Sequence, residues 1–416
     1  MKRLRPIAVA AFAILAIALA LPLRAQTPKD MSGVRTIGDV IAEAGTGPVR
    51  IIFVHGMRAE GAGASEVLRG NLCAHVPGGC TPIAGGRKRI LIPLGTTPPS
   101  TRLEGRPVWR DLPAWEASQP FVDRYAFTRA NGGELIVDEV NWWPLLFPLK
   151  CRALVLKEAE LSGPDKAHLR LCGRTDPENR YYPWLGPDDG LEVALARPSK
   201  GALLNRLGKR EIMNWGLADA VIAVGPMRVW LDKAMNGAFG VSAADLRAGE
   251  RLVVISESLG SFVILDAMSQ AAATGDSRVK DVVDRTADLY FFANQFRLLE
   301  LARLEGVSPA AADRAPLAAA PSPAASPSVL DALGAWAAPK GGADVRPRQI
   351  VAFNDPSDIL TFEVPAIRGA KVVNIDDRNG FRLLGLVADP VAAHTGHAEN
   401  KKVLKLIFSP SPKPAR

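Results

Sequence analysis

The chain has 416 residues, 48% of them hydrophobic, and 51 basic against 43 acidic side chains give it a formal charge of +8. That apolar content is too rich for a disordered chain and ample for a large core. The basic excess is mild and lacks a basic run interleaved with aromatics, so no nucleic-acid partner is expected.

The chain opens with the layout of a secretion signal. Lys2, Arg3 and Arg5 precede an apolar run that ends near Leu21, and small residues lead to Ala25. The run is about 15 residues, short of the roughly 20 that cross a bilayer. Residues 1–25 are therefore expected to be removed, leaving 26–416 without a stable transmembrane segment, in a secreted or periplasmic location. Removal takes away Lys2, Arg3, Arg5 and Arg24 and lowers the formal charge from +8 to +4. Cys73, Cys80, Cys151 and Cys172 are an even set behind that signal, which reads as disulfides. Proximity favours Cys73–Cys80 and Cys151–Cys172. No histidine has ligand spacing to a cysteine pair, so no metal is expected.

Runs at 49–54, 134–140, 251–256, 288–293 and 349–353 read as buried strands, with 371–375 a shorter sixth. They alternate with longer helix-like segments, which predicts an α/β fold with a mainly parallel central sheet flanked by helices. The stretch 141–250 holds Trp142, Trp143, Tyr181, Tyr182, Trp184, Trp215 and Trp230, and a helical apolar stripe at 210–223. It is expected to supply helices against the sheet and a helical or irregular cap over an apolar substrate, while any single tryptophan in it is expected in the core more often than in the cap. Residues 306–343 shift to Ala and Pro and are expected to form a mobile, low-complexity surface excursion. A terminal helix is expected over 400–407. The length fits one large domain with insertions.

Chemistry enters at Ser256-Glu257-Ser258-Leu259-Gly260. An apolar strand precedes this segment and a helical pattern follows it, the context in which a G-x-S-x-G turn presents a nucleophilic serine. Neighbours two positions away must be small, and here they are Ser256 and Gly260. The first strand runs into His55-Gly56-Met57. A late strand leads into Asn354-Asp355-Pro356-Ser357-Asp358-Ile359-Leu360, and His394-Thr395-Gly396-His397 precedes the terminal helix.

This order of segments resembles the α/β-hydrolase superfamily over residues 49–407. The segments 214–220 and 254–260 are similar to those of uncharacterised bacterial members. The resemblance implies the α/β-hydrolase fold and a serine esterase or lipase-like activity without a cofactor. Its chain order is serine, acid, histidine. That makes Ser258 the nucleophile and leaves His394 and His397 as bases, with His394 favoured because the segment is similar to the His-(Ser/Thr)-Gly-aromatic segment of some bacterial hydrolases. Asp358 is favoured as the acid because apolar residues follow it, whereas Asp355, before a proline, looks like a turn-former. The oxyanion donors implied are the N–H groups of Leu259 and Met57. The expected substrate is a small-molecule or lipid carboxylic ester. Ser256 departs from the glycine pattern, which leaves a catalytically silent fold binding a lipid or protein partner in the envelope as an alternative. An acyltransferase would use the same residues. Oligomeric state is not legible.

Overall fold

The computed structural model describes residues 33–57, 63–100, 102–103, 106–109, 111–155, 172, 213, 216–274, 277–301, 329–338, 348–379, 382–383, 387–388 and 390–411. The expected secretion signal and most of the expected cap, including Tyr181, Tyr182, Trp184 and Trp215, lie outside the described residues.

Eight strands make one sheet: β1 (Val49–Val54), β2 (Cys80–Leu91), β3 (Phe121–Arg129), β4 (Glu134–Asn141), β5 (Arg251–Glu257), β6 (Thr286–Phe292), β7 (Arg348–Asn354) and β8 (Ala370–Asp376). Their spatial order is β8-β7-β6-β5-β1-β4-β3-β2. All neighbours from β8 to β4 pair in parallel. Only β3 is reversed, antiparallel to both β4 and β2. The chain thus builds outward from β1 on one side through β5 to β8, and on the other fills β2, β3 and β4 back toward β1. In such sheets the crevice at the carboxyl ends of the strands, where the order changes direction, is the ligand site. Here it lies around the end of β1.

The inner parallel strands are mainly apolar because both faces are covered. In β5, Leu252 and Val254 enter one core while Val253 and Ile255 enter the other. The first core takes α5 (Arg228–Ala243) through Leu231, Met235 and Phe239, α6 (Leu259–Thr274) through Phe262 and Leu265, and α9 (Val329–Ala337) through Leu333 and Trp336. The second takes α1 (Ile37–Ala44), α2 (Glu66–His75) and α11 (Lys401–Phe408). Between these run the short helices α3 (Leu112–Ala117), α4 (Ala218–Val224), α7 (Ser277–Arg285), α8 (Phe296–Glu300) and α10 (Pro390–Thr395). Caps fix several ends. Thr36 and Asp39 form a reciprocal capping box on α1, and Asn400 accepts from Lys402 N–H at the start of α11.

Two points of the sequence reading need correction. The antiparallel strands β2 and β3 are absent from the sequence reading. Within 306–343 only 329–338 are among the described residues, and they form α9 instead of a surface excursion, with Leu333 and Trp336 buried and Trp336 Nε1 donating to Thr286 O at 2.9 Å. Trp142 and Trp143 are fully buried core side chains, the placement favoured for any single tryptophan of that stretch. Cys73 is bonded to Cys80, joining the end of α2 to the start of β2, and Cys151 to Cys172. No helix among the described residues is long and apolar enough to cross a membrane.

Candidate active site

β5 ends at Glu257 and α6 begins at Leu259, so Ser258 alone makes the turn from strand to helix. Its φ is 52°, in the left-handed region that a residue with a side chain enters only when its surroundings hold it. The holding contacts are visible. Ser258 N–H donates to Phe292 O at 2.7 Å, and Ser258 O accepts from Ser261 N–H at 3.1 Å and Ser261 Oγ at 2.7 Å. The turn packs directly on the end of β1. A Cβ on Gly260 would lie 2.5 Å from the carbonyl oxygens of Val54 and His55, and one on Gly56 would lie 2.7 Å from Ser258 Cβ. Both positions therefore require glycine.

Ser258 Oγ lies 2.7 Å from His394 Nε2, and His394 Nδ1 lies 2.7 Å from Asp358 Oδ2. The carboxylate can only accept, so Nδ1 carries the proton and Nε2 presents its lone pair to the serine hydroxyl. His394 comes from α10 and Asp358 from the loop after β7. Asp358 Oδ1 also accepts from Leu360 N–H at 2.9 Å, and Thr361 Oγ1 donates to Oδ2. Burial pushes the Asp358 carboxyl up, but bonds from His394, Thr361 and Leu360 outweigh it and hold the group below the usual carboxylate value. Asp358 thus stays ionised beside the imidazole.

The other candidates are placed elsewhere. Asp355 is a turn-former: Oδ1 accepts from Ser357 N–H at 2.8 Å and Oδ2 from Asn379 N–H at 2.6 Å. His397 is fully buried, stacks on Phe292 and donates from Nδ1 to Asp377 Oδ2 at 2.9 Å. The structure brings His394, not His397, to Ser258, and Asp358, not Asp355, to His394.

Leu259 is the first residue of α6, so its N–H is one of the amides that a helix leaves without an internal acceptor. Met57 follows Gly56 at the end of β1 and is partly exposed. His55 shapes this loop. Its Nδ1–H donates to Gly56 O at 2.8 Å, its ring stacks on Trp142, and its carbonyl accepts from Trp142 Nε1 at 3.2 Å. Burial lowers its pKa to about 4, so the ring is neutral at neutral pH. A neutral, buried ring bonded to its own loop orients that loop. Ser256 is fully buried between Val54 and Phe291, and its hydroxyl has no hydrogen-bond partner among the described residues. It packs in the sheet behind the turn and does not obstruct Ser258.

The sequence reading missed Gln295. Its buried carboxamide nitrogen lies 3.4 Å from His394 Nε2. The available signal was positional: it falls just past the carboxyl end of a buried strand. Among the described residues no cluster of three or more His, Cys, Asp or Glu is placed to hold a metal. The chain matches no protein-family model, no curated protein and no solved structure.

Proposed function

We propose that this chain is a serine hydrolase of the α/β-hydrolase type, secreted or periplasmic, that cleaves a carboxylic ester through an acyl-enzyme. The observation that carries the reading is the unbroken path from Asp358 through His394 to Ser258, with 2.7 Å at each link. The left-handed turn that presents the serine in the middle of a mainly parallel sheet supports it. Two disulfides are compatible with an oxidising compartment.

In this reading Ser258 Oγ attacks the ester carbonyl as His394 Nε2 takes its proton. Asp358 keeps the ring in the right tautomer and stabilises the imidazolium that forms. The Leu259 and Met57 N–H groups face the developing oxyanion. His394 then protonates the leaving alcohol, and water releases the acyl group by the reverse sequence. A carboxylate that can only accept is central here. Asp358→Asn permits the opposite tautomer, and kcat on p-nitrophenyl esters should fall by about 10³–10⁴-fold while the fold persists. A fluorophosphonate should label Ser258 in the folded protein and leave Ser258→Ala unlabelled. Absence of labelling, or equal ester turnover by Ser258→Ala, would overturn the reading in favour of a silent binding fold.

A further inference from the structure

Ser258 and Ala293 are the two non-glycine residues with positive φ among the described residues, at 52° and 49°. They sit at the carboxyl ends of adjacent strands, β5 and β6, and Ser258 N–H donates to Phe292 O, the residue before Ala293. The turn at Ala293 is fastened on every side. Ala293 N–H donates to Phe353 O at 3.1 Å. Asn294 Nδ2 donates to Phe362 O at 2.7 Å, and Phe362 N–H returns a bond to Asn294 O at 3.3 Å, which ties the turn to the loop carrying Asp358. Gln295 N–H points to Ser261 Oγ at 3.4 Å, and Gln295 is the N-cap of α8.

What this strained turn delivers is the Gln295 side chain. It is 2% exposed, and its carboxamide lies 3.4 Å from His394 Nε2, the nitrogen that Ser258 Oγ contacts at 2.7 Å. That nitrogen is its one side-chain hydrogen-bonding neighbour among the described residues. The one such neighbour of this carboxamide is thus the catalytic nitrogen itself, at a long 3.4 Å, which leaves the amide able to serve a polar atom that arrives with substrate.

We propose that Gln295 is a positioning residue for the oxygen that exchanges at the acyl carbon, and above all for the water of the second half-reaction. The inference rests on the serine-hydrolase reading. The leaving-group oxygen and the attacking water occupy the same place, within hydrogen-bond reach of His394 Nε2 and of the acyl carbon on Ser258. A carboxamide beside Nε2 borders that place. It does not titrate, so it fixes the oxygen without competing for the proton. In deacylation the water oxygen bonds to the acyl carbon and its proton passes to His394 Nε2. The carbon–Oγ bond then breaks, and the same proton returns to Ser258 Oγ as the carboxylic acid departs. Gln295 holds the water through the first of these steps.

The test separates the two half-reactions. Gln295→Met keeps the volume and removes the hydrogen bond. With p-nitrophenyl acetate it should retain the acylation burst while deacylation slows by about 10–100-fold, the scale expected for a misplaced reactant. Acetylated Ser258 should then accumulate and be seen by intact-mass spectrometry. Gln295→Asn, which withdraws the amide by one methylene, should show the same accumulation to a smaller degree and provides the measurement if the first variant does not fold. Fluorophosphonate labelling, which needs no water, should proceed at the rate of the unaltered protein. A merely structural role would slow labelling, acylation and deacylation together. That pattern, or no change in deacylation, overturns the inference and leaves the hydrolase reading standing. Failure of the unaltered protein to label at Ser258 overturns the reading itself.

Discussion

Two histidines flank the site without entering its chemistry, and their environments set opposite responses to pH. His55 is buried against Trp142 with no facing carboxylate in hydrogen-bond contact, and its pKa falls from 6.5 to about 4. Between those values the unfolded chain binds the proton and the folded one does not, so stability falls as pH drops from 6.5 to about 4, by on the order of 3 kcal/mol. His397 is equally buried, and burial alone would lower its pKa. Its bond to Asp377, that group's charge, and the more distant Glu257 and Asp358 outweigh burial and raise it above 6.5. Its stabilisation is complete below pH 6.5 and is lost as pH rises through the folded value. Asparagine places an amide where the histidine Nδ1 stood, so His55→Asn and His397→Asn keep the donor and remove the titration. Urea midpoints across the pH range should flatten on the acid side for the first and on the alkaline side for the second. A shared pH profile would refute the assignment. At this scale the sequence identifies Ser258, Asp358 and His394 because their chain order restricts the choice to a few residues. It separates His394 from His397 only by the pattern of a short segment, since which histidine meets Asp377 depends on how the chain returns after β8. Gln295 carries no motif, and its approach to His394 is a product of the turn at Ala293.

At the scale of elements, the edge of the sheet opposite the site holds a buried ionic cluster that no apolar pattern announces. Arg50, fully buried as the second residue of β1, donates to Asp138 at 2.8 Å, Glu250 at 2.6 Å and Asp245 at 3.1 Å. Arg124 of β3 bonds to Asp138 at 2.6 Å and 2.9 Å, and Ser242 of α5 donates to it at 2.8 Å. These contacts clasp β1, β3, β4 and the end of α5. Burial opposes the Asp138 charge, but Arg124 and Arg50 more than offset this and keep the carboxylate ionised. Arg50→Met would leave Asp138 and Glu250 without their common partner and should cost about 3–5 kcal/mol. Because Arg50 lies at the amino end of β1 and Ser258 past the carboxyl end of β5, ester turnover by the folded fraction should be unchanged. Loss of turnover without loss of stability would show that the cluster acts on the site instead. The same cluster explains why β3 escapes a sequence reading. Its apolar residues are interrupted by Asp123 and Arg124, whose charges are satisfied only in the assembled sheet, Asp123 by Arg89 at 2.8 Å. β2 contains Pro82, Gly85 and Gly86, has a register shift, and leaves most side chains exposed at the sheet edge, so neither burial nor alternation marks it. The parallel strands from β7 to β4 are legible because cover on both faces makes them mainly apolar, whereas β8, half-buried at the sheet edge, shows only the short run around Val372 and Val373. α9 is not, because Leu333 and Trp336 sit among alanines in a stretch otherwise rich in proline.

At the scale of the molecule, residues from nearly the whole chain converge on one edge of the sheet, with Met57 near one end and His394 near the other, so the site depends on global rather than local order. The chain ends reinforce that dependence. Thr36 Oγ1 donates to Ser409 O at 2.7 Å, and Ser411 Oγ reaches Val34 O at 2.7 Å and Asp39 at 2.6 Å, joining the entry to α1 with the exit from α11. The two disulfides add cross-links of short range, seven and 21 residues apart, and both close loops that precede Ser258, Asp358 and His394 in the chain. Closing such loops restricts the unfolded chain by about 2–4 kcal/mol each. A chain of this size unfolds with an entropy of about 0.8 kcal/mol/K, so losing both bonds should lower Tm by about 5–10 °C. Ester turnover below the new transition should be that of the oxidised protein, because the triad is set by the sheet and by the segments after β7 and β8, to which neither disulfide is attached. Calorimetry of oxidised and reduced protein, with turnover measured at a temperature where both are folded, checks this. Reduction that abolishes activity while leaving Tm in place would mean that at least one of the two bonds shapes the site or the route to it.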